Sequence, residues 1–254
     1  MKVKPKKHLG QHFLNDRNIA SKIVDSLSYQ PYDLVLEVGP GMGVLTQFLL
    51  QKQVKVYVAE IDKESVDYLK INYPQLEKNI VGDFLKLEFD ELCSDNFAVI
   101  GNFPYNISSQ IVFKILENKH KIPEMVGMFQ KEVAERIAAQ KGTKTYGILS
   151  VFTQAYYNVE YLFTVHENVF TPPPKVKSAV IRLIRYRDKI EGVENEFFLK
   201  LIKAGFNQRR KTLRNALKVL SIPPSLESHG FLNLRAEQLS VDDFIDLARL
   251  WNSK

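Results

Sequence analysis

The chain holds a single cysteine, Cys93, among its 254 residues, so no internal disulfide framework can brace it and a reducing compartment suits it. Its five histidines, His8, His12, His120, His166 and His229, are scattered without ligand spacing, which leaves a zinc site without support. No apolar run approaches the length that spans a bilayer, and Lys2, Lys4, Lys6 and Lys7 are followed by no apolar stretch of the signal-peptide kind. Together these absences predict a cytoplasmic protein with neither a membrane nor a metal among its partners. Repeats and low-complexity tracts are missing as well. Acidic residues are the minority: 35 Lys and Arg against 29 Asp and Glu give a formal charge of +6, which points to an anionic partner, although solvated lysines alone give the same balance.

What is present is length and periodicity. A chain of this size can bury roughly 70 to 75% of the surface its unfolded form exposes, enough for one large domain and a smaller one. Apolar, β-branched runs near 33–39, 54–60, 79–83, 97–102 and 125–130 alternate with helical patterns near 18–28, 45–52, 63–73, 109–117, 132–140 and 148–157. Strands joined by helices of about ten residues imply right-handed crossovers and a mostly parallel sheet. Two late strands, near 159–165 and 179–186, predict an antiparallel closing pair that brings the sheet to seven strands. Beyond Tyr186 the sequence turns polar and then helical with no strand signal, which predicts an α/β domain over 1–190 and a helical domain over 191–254.

The tetrapeptide Asn102-Phe103-Pro104-Tyr105 follows the apolar run at 97–101, where a buried strand meets a loop. Parallel-sheet enzymes keep their chemistry at that edge. The residue types suit an exocyclic amine whose lone pair is delocalised into a heteroaromatic ring. The Asn102 carbonyl oxygen can accept one N–H, the carbonyl of Pro104 the other, and Tyr105 can stack on the ring. A strand end closed by an ordinary turn explains the same residues.

Glu37-Val38-Gly39-Pro40-Gly41-Met42-Gly43 closes the first strand and opens a helix, so its glycines let the backbone approach a ligand. Val44 stands where a dinucleotide fingerprint wants its third glycine, which departs from the NAD pattern. Glu60 ends the second strand, where a carboxylate can accept both hydroxyls of a ribose, and Asp83 ends the third, where it can accept from an adenine amino group. Packing turns and helix caps account for each of these singly. One nucleoside-containing ligand across the sheet edge accounts for Gly39, Glu60, Asp83 and Asn102 together, and the mismatch with the dinucleotide pattern makes that ligand S-adenosylmethionine.

Six motifs lie in order from residue 10 to about 218: Gly10-Gln11-His12-Phe13-Leu14-Asn15, the glycine turn, Asn102-Phe103-Pro104-Tyr105-Asn106-Ile107-Ser108, Gln130-Lys131-Glu132-Val133-Ala134, Phe170-Thr171-Pro172-Pro173-Pro174-Lys175-Val176 and Phe206-Asn207-Gln208-Arg209-Arg210-Lys211. In these the chain resembles the KsgA family of small-subunit ribosomal RNA adenine dimethyltransferases. The resemblance implies a Rossmann-like class I methyltransferase fold. It also implies that the segment around His12 and Leu14 closes over the cofactor, and that Gly39, Glu60, Asp83 and Asn102 contact it. Phe103 departs mildly, since Leu or Ile is commoner there, and His12 stands where Asn is also frequent. The activity implied is transfer of two methyl groups to N6 of each of two adjacent adenines in a 3′-terminal hairpin loop of 16S ribosomal RNA, on an assembly intermediate. The related large-subunit (23S) enzymes of the macrolide-resistance type and non-enzymatic RNA-binding factors of the same lineage are the alternatives.

Tyr105 and Phe170 are the candidates to hold the target purine by stacking, Phe170 because the stiff Thr-Pro-Pro-Pro stretch after it fixes its direction; a core aromatic next to a loop is the lesser alternative. In the helical region, Lys200, Lys203, Asn207, Arg210, Arg214 and Lys218 recur every three or four residues opposite an apolar stripe. A charge stripe is usually a solvated face, but this one, with Lys203, Arg210, Arg214 and Lys218 as its cations, has no acidic member and adds to the basic N-terminal tail, so an RNA backbone is the better reading. A monomer is expected.

Overall fold

Leu34–Val38 (β2) reads Leu-Val-Leu-Glu-Val and is buried throughout, as a central strand of a parallel sheet with both faces covered must be. In the computed structural model, which describes residues 3–252, this strand lies inside a seven-stranded sheet. Lys2 of the basic N-terminal run lies outside the described residues. The partners of β2 are Lys55–Ala59 (β3) and Ala98–Asn102 (β5), both parallel; Ile80–Val81 (β4) extends the sheet beyond β3, and Glu124–Gln130 (β6) beyond β5. Ser178–Arg185 (β9) pairs antiparallel with β6, and Tyr157–Val165 (β7) completes the order β4-β3-β2-β5-β6-β9-β7. A separate two-stranded ribbon joins Phe13–Leu14 (β1) to Phe170–Thr171 (β8) in antiparallel register.

Two of the helices between the strands start where an aspartate satisfies their first N–H groups. Arg17–Val24 (α1) is capped by Asp16, which accepts from the Asn18 and Ile19 amides at 2.9 and 3.0 Å, and it buries Ala20, Ile23 and Val24. Thr46–Leu49 (α2) follows the glycine turn, and Asp62 caps Lys63–Asn72 (α3). The short Phe89–Leu92 (α4) precedes β5, and Ser108–Glu117 (α5) buries Ile111, Val112, Ile115 and Leu116. Lys131–Ala138 (α6), Ile148–Gln154 (α7), Asn195–Asn207 (α8), Leu213–Ala216 (α9) and Val241–Asn252 (α10) follow.

The chain divides into two compact units, one of residues 1–134 and 160–185, the other of residues 135–159 and 186–254. The boundary expected at 190 therefore falls at 185, and the second unit takes in a stretch that a contiguous division assigns to the first. Aromatic packing is the reason. Tyr146 packs edge-on against Phe206, and Phe152 packs on both Tyr156 and Phe198, so 135–159 supplies much of the core of the helical unit. In the same unit, Ser240 and Asp243 cap α10 reciprocally, each side chain accepting from the other's amide.

Within the first unit Glu124 at the start of β6 is buried, yet every donor around it is used. Ser28 donates its amide to both carboxylate oxygens and its hydroxyl to Oε2, Arg182 Nε donates to Oε1 at 2.6 Å, and the Tyr32 hydroxyl donates to Oε2. Removing this carboxylate takes away the acceptor of the Arg182 Nε and of the buried Tyr32 hydroxyl. Glu124→Ala is expected to lower the unfolding free energy by on the order of 3 to 5 kcal/mol in urea titrations, whereas the isosteric Glu124→Gln, which keeps one acceptor, should cost clearly less.

Candidate active site

Because β2, β3, β4 and β5 run parallel, the chain leaves each of them at the same edge, and Gly39, Glu60, Asp83 and Asn102 all emerge there. The glycine turn is built on backbone that side chains resist. Gly41 and Gly43 hold φ of 55° and 78°, and a Cβ on Gly41 would lie 2.7 Å from the Phe13 ring, one on Gly43 2.5 Å from the Tyr73 ring. Gly41 donates its amide to Glu60 Oε2 at 3.2 Å, while Glu60 Oε1 accepts from the Ile61 and Asp62 amides at 2.9 and 2.8 Å. Burial raises the Glu60 pKa and these three donors oppose the rise. Glu37, one strand inward, is fully buried with Thr46 Oγ1 on its Oε2 at 2.6 Å; burial, reinforced by the nearby Glu60, pushes its pKa up to about 8 against the pull of that hydroxyl.

A strap formed by the N-terminal segment crosses this edge. Lys6 pairs with Asp62 and, at 3.3 Å, with Glu64, and Gln11 reaches Asp62 Oδ2 at 3.3 Å. The Asp62 ion pair raises the Lys6 pKa, while Asp62 itself, although burial drives it upward, is held below the usual carboxylate range by Lys6, Gln11 and Ser65. Further along, Asn102 Nδ2 donates to the His12 carbonyl at 2.8 Å, the His12 Nδ1 lies 2.7 Å from the Pro172 carbonyl, and β1 pairs with β8. Leu14 is buried beneath, beside Gly39 and Asn102. The result is a cleft lined by residues 9–13 on one side and by Gly39, Gly41, Glu60, Ile61 and 102–107 on the other. His12 and Asn102, which the sequence predicted as cofactor contacts, thus meet directly, and Gly39 and Glu60 share their cleft.

The tetrapeptide forms one wall. Asn102 gives its amide nitrogen to the strap, so the oxygen is the group of this side chain left to accept from a ligand. The Pro104 carbonyl accepts from the Ile107 amide at 3.2 Å and retains its second lone pair. Tyr105 hydrogen-bonds Ser178 through its hydroxyl, and its ring stacks on His12 with centroids 5.2 Å apart and 26° between planes. Burial raises the Tyr105 pKa, which keeps the phenol neutral.

Two expected contacts are not on the cleft in this structure. Asp83, two residues past β4, accepts from the Leu85 amide at 3.0 Å and so closes the turn that follows. Phe170 is 3% exposed and packed in the core with Leu14, Ala20 and Ile23, because β8 pairs with β1 and turns that ring inward. Conversely, Gln11, Ile61 and Ser178 were not anticipated. Ile61 is 54% exposed on the cleft rim, and an apolar residue left open beside a strand-end carboxylate is the one signal that could have flagged it.

The basic stripe is not one helix. Helix α8 stops at Asn207, residues 208–212 turn, and α9 starts at Leu213, whose side chain folds back onto Gly205. Lys203, Arg210 and Lys218 are exposed, whereas Arg214 is half-buried and donates to the Glu227 carbonyl at 2.8 Å and to Asn233 at 3.2 Å. Among the described residues no cluster of His, Cys, Asp and Glu could hold a metal ion, and no helix is long and apolar enough to cross a membrane.

Comparison with known proteins places these features. The profile of the ribosomal RNA adenine dimethylase family matches residues 2–252. Ribosomal RNA small subunit methyltransferase A of Cytophaga hutchinsonii is 58% identical over 257 residues, covering 100% of this chain and 99% of the relative. The protein of the same name from Flavobacterium johnsoniae is 57% identical over 250 residues, covering 98% and 96%. Among solved structures, a dimethyladenosine transferase from Plasmodium falciparum superposes with a TM-score of 0.80 at 28% identity over 93% of this chain and 96% of its own. The 23S rRNA methyltransferase ErmE gives 0.67 at 28% identity, over 93% and 99%.

The buried Glu37 carries a pH signature. Its folded-state pKa lies above the unfolded value of about 4.5, so the folded form holds a proton that the unfolded form releases, and stability falls as pH rises from about 4.5 to about 8. Glu37→Gln, which cannot ionise, is expected to melt at a higher temperature than the wild type at pH 8 and to lose that advantage at pH 5; equal differences at both pH values in thermal melts would contradict the assignment.

Proposed function

Because this chain belongs to the ribosomal RNA adenine dimethylase family, we propose that it converts two adjacent adenines in a 3′-terminal hairpin loop of 16S ribosomal RNA to N6,N6-dimethyladenine, with S-adenosylmethionine as methyl donor. The observation that carries this reading is one cleft shared by the glycine turn, Glu60 and Asn102-Phe103-Pro104-Tyr105. The residues fit the donor. A cradle at Gly39 and Gly41 admits no side chain without strain, and Glu60 Oε2, with one N–H already in place, has a lone pair for a ribose hydroxyl. Gly39, Glu60, Asn102 and the segment through His12 and Leu14 would hold it, with Asp83, whose Oδ1 accepts from the Leu85 amide, offering its Oδ2. S-adenosylmethionine supplies an electrophilic methyl group on a sulfonium.

The rest is positioning by the chain itself. Asn102 Oδ1 and the Pro104 carbonyl would accept the two N–H groups of an adenine N6, which favours the pyramidal amine whose lone pair has left the ring, and these bonds strengthen as the nitrogen becomes cationic. No strong base is required, since the alkylated nitrogen is acidic. Tyr105, fixed by Ser178 and His12, is the stacking platform, a contact worth about 1 to 3 kcal/mol per base. The strap excludes water from the reacting groups. For Phe170 to stack on the same base it would have to leave the core.

Small-subunit specificity is supported by 57 to 58% identity along the whole chain to proteins named for that subunit, against 28% to ErmE. A purely RNA-binding role would leave Glu60, Asn102 and Tyr105 in one cleft without a use. The unpaired loop adenines of an assembly intermediate in the cytoplasm are the reachable targets for a monomer of this kind, because a base inside a duplex must first be extruded. Lys203, Arg210, Arg214 and Lys218 supply backbone contacts to the RNA.

Purified chain with S-adenosylmethionine should methylate small but not large ribosomal subunits from cells lacking the modification, and activity confined to the large subunit would overturn the assignment. Asn102→Ala should lower methyl transfer by on the order of 10² to 10³ while RNA binding survives. Arg210→Ala combined with Arg214→Ala should weaken RNA affinity and flatten its dependence on salt, read from binding titrations at several salt concentrations.

A further inference from the structure

Gly101 and Gly127 face each other as partners on β5 and β6, and neither adopts a positive φ. Backbone freedom is therefore not what these positions require. Space is: a Cβ on Gly127 would lie 2.2 Å from Phe103 Cε2, and one on Gly101 would lie 2.8 Å from Phe103 Cε1 and 2.5 Å from the Val38 carbonyl oxygen. The Phe103 ring covers this bare patch of sheet, 1% exposed, with Phe129 edge-on at 5.0 Å and its own amide bonded to the Met128 carbonyl at 3.1 Å. The same Cβ on Gly127 would also lie 2.8 Å from Phe129 Cε2 and 2.9 Å from the Met125 sulfur, so three side chains crowd this position and Phe103 is the nearest. The aromatic at 103 is thus matched to the missing side chain at 127.

We propose that Gly127 is a positioning residue for methyl transfer: the room it leaves seats the Phe103 ring, and that seat fixes the flanking Asn102 side chain and Pro104 carbonyl against the target amine. The inference rests on the function proposed above. Gly127 lies outside the cleft lining, and of Phe103, Phe129 and Met125, the side chains nearest to its added Cβ, Phe103 is the one that lines the cleft, so the influence of residue 127 reaches the cleft through Phe103. Adding a methyl at 127 tilts or lifts the ring, and displacement of the tetrapeptide by even 1 Å can cost on the order of 10²-fold in rate. Leu at 103 lacks the ε carbon that is the nearest of the three atoms to the new Cβ, so it should relieve the tightest contact and give Phe129 and the flexible Met125 side chain room to yield to the other two.

The full chain, Gly127→Ala, Phe103→Leu and the double variant are compared by thermal melting and by kcat and KM on small subunits lacking the modification. Gly127→Ala should lower kcat by about 10- to 100-fold with KM for the subunit nearly unchanged, and the double variant should regain the kcat of Phe103→Leu. A Gly127→Ala enzyme with wild-type kcat, or a double variant no faster than Gly127→Ala, overturns the inference. Should Gly127→Ala fail to fold, the double variant decides: folded and as active as Phe103→Leu it supports the seat, unfolded or inactive it refutes it. A wild-type chain inactive on small subunits overturns the functional reading and the inference together, whereas an active wild type matched by Gly127→Ala overturns the inference alone.

Discussion

The Glu60 carboxylate ties the glycine turn after β2 to the loop after β3, and the geometry of the cleft hangs on it. Desolvating an ionised carboxylate is costly, yet the amides of Gly41, Ile61 and Asp62 all converge on this one, each of them an N–H that the sheet and helices leave unpaired. The same three bonds set where the turn lies relative to α3, because Asp62 is both a donor to Glu60 and the cap of that helix. Asp62 in turn receives Lys6 and Gln11 from the strap. A chain of charge-assisted hydrogen bonds thus runs from the floor of the cleft to its cover.

That cover is held at two ends by different forces. Near residue 6 the hold is ionic and partly exposed, so salt weakens it. Near residues 12 to 15 it is backbone pairing with β8 together with burial of Leu14, and salt has little purchase there. Between the two, Asn102 contributes its amide nitrogen to the strap and keeps its oxygen for the target, so a single side chain serves both the closure of the cleft and the recognition of the amine. Burial raises the pKa of both carboxylates nearest the donor site: at Glu37 one hydroxyl opposes it and the group is driven to neutrality, at Glu60 three amides oppose it.

Much of this was legible beforehand. Strand positions followed from runs such as Leu34–Val38, which only a doubly covered strand tolerates, and the parallel order followed from helices of crossover length between them. Gly39, Glu60 and Asn102 could be read as one site because strand ends of a parallel sheet share an edge. The helix expected from the 3.6-residue recurrence at Lys203, Arg210 and Arg214 breaks at 208–212, since packing Leu213 onto Gly205 outweighs continuation of the helix. Periodicity records which residues are apolar and cannot record where the chain reverses.

The sequence by itself determined the parallel architecture, the glycine turn and the identity of the tetrapeptide, because each is written in local pattern: burial period, missing Cβ atoms, and residue types at a strand end. Only the tertiary structure decided that Phe170 turns into the core, that residues 135–159 join the helical unit, and that Gly127 makes room for Phe103. Those outcomes depend on which side chains, distant in sequence, compete for the same volume, and close packing resolves that competition only when the whole chain is in place.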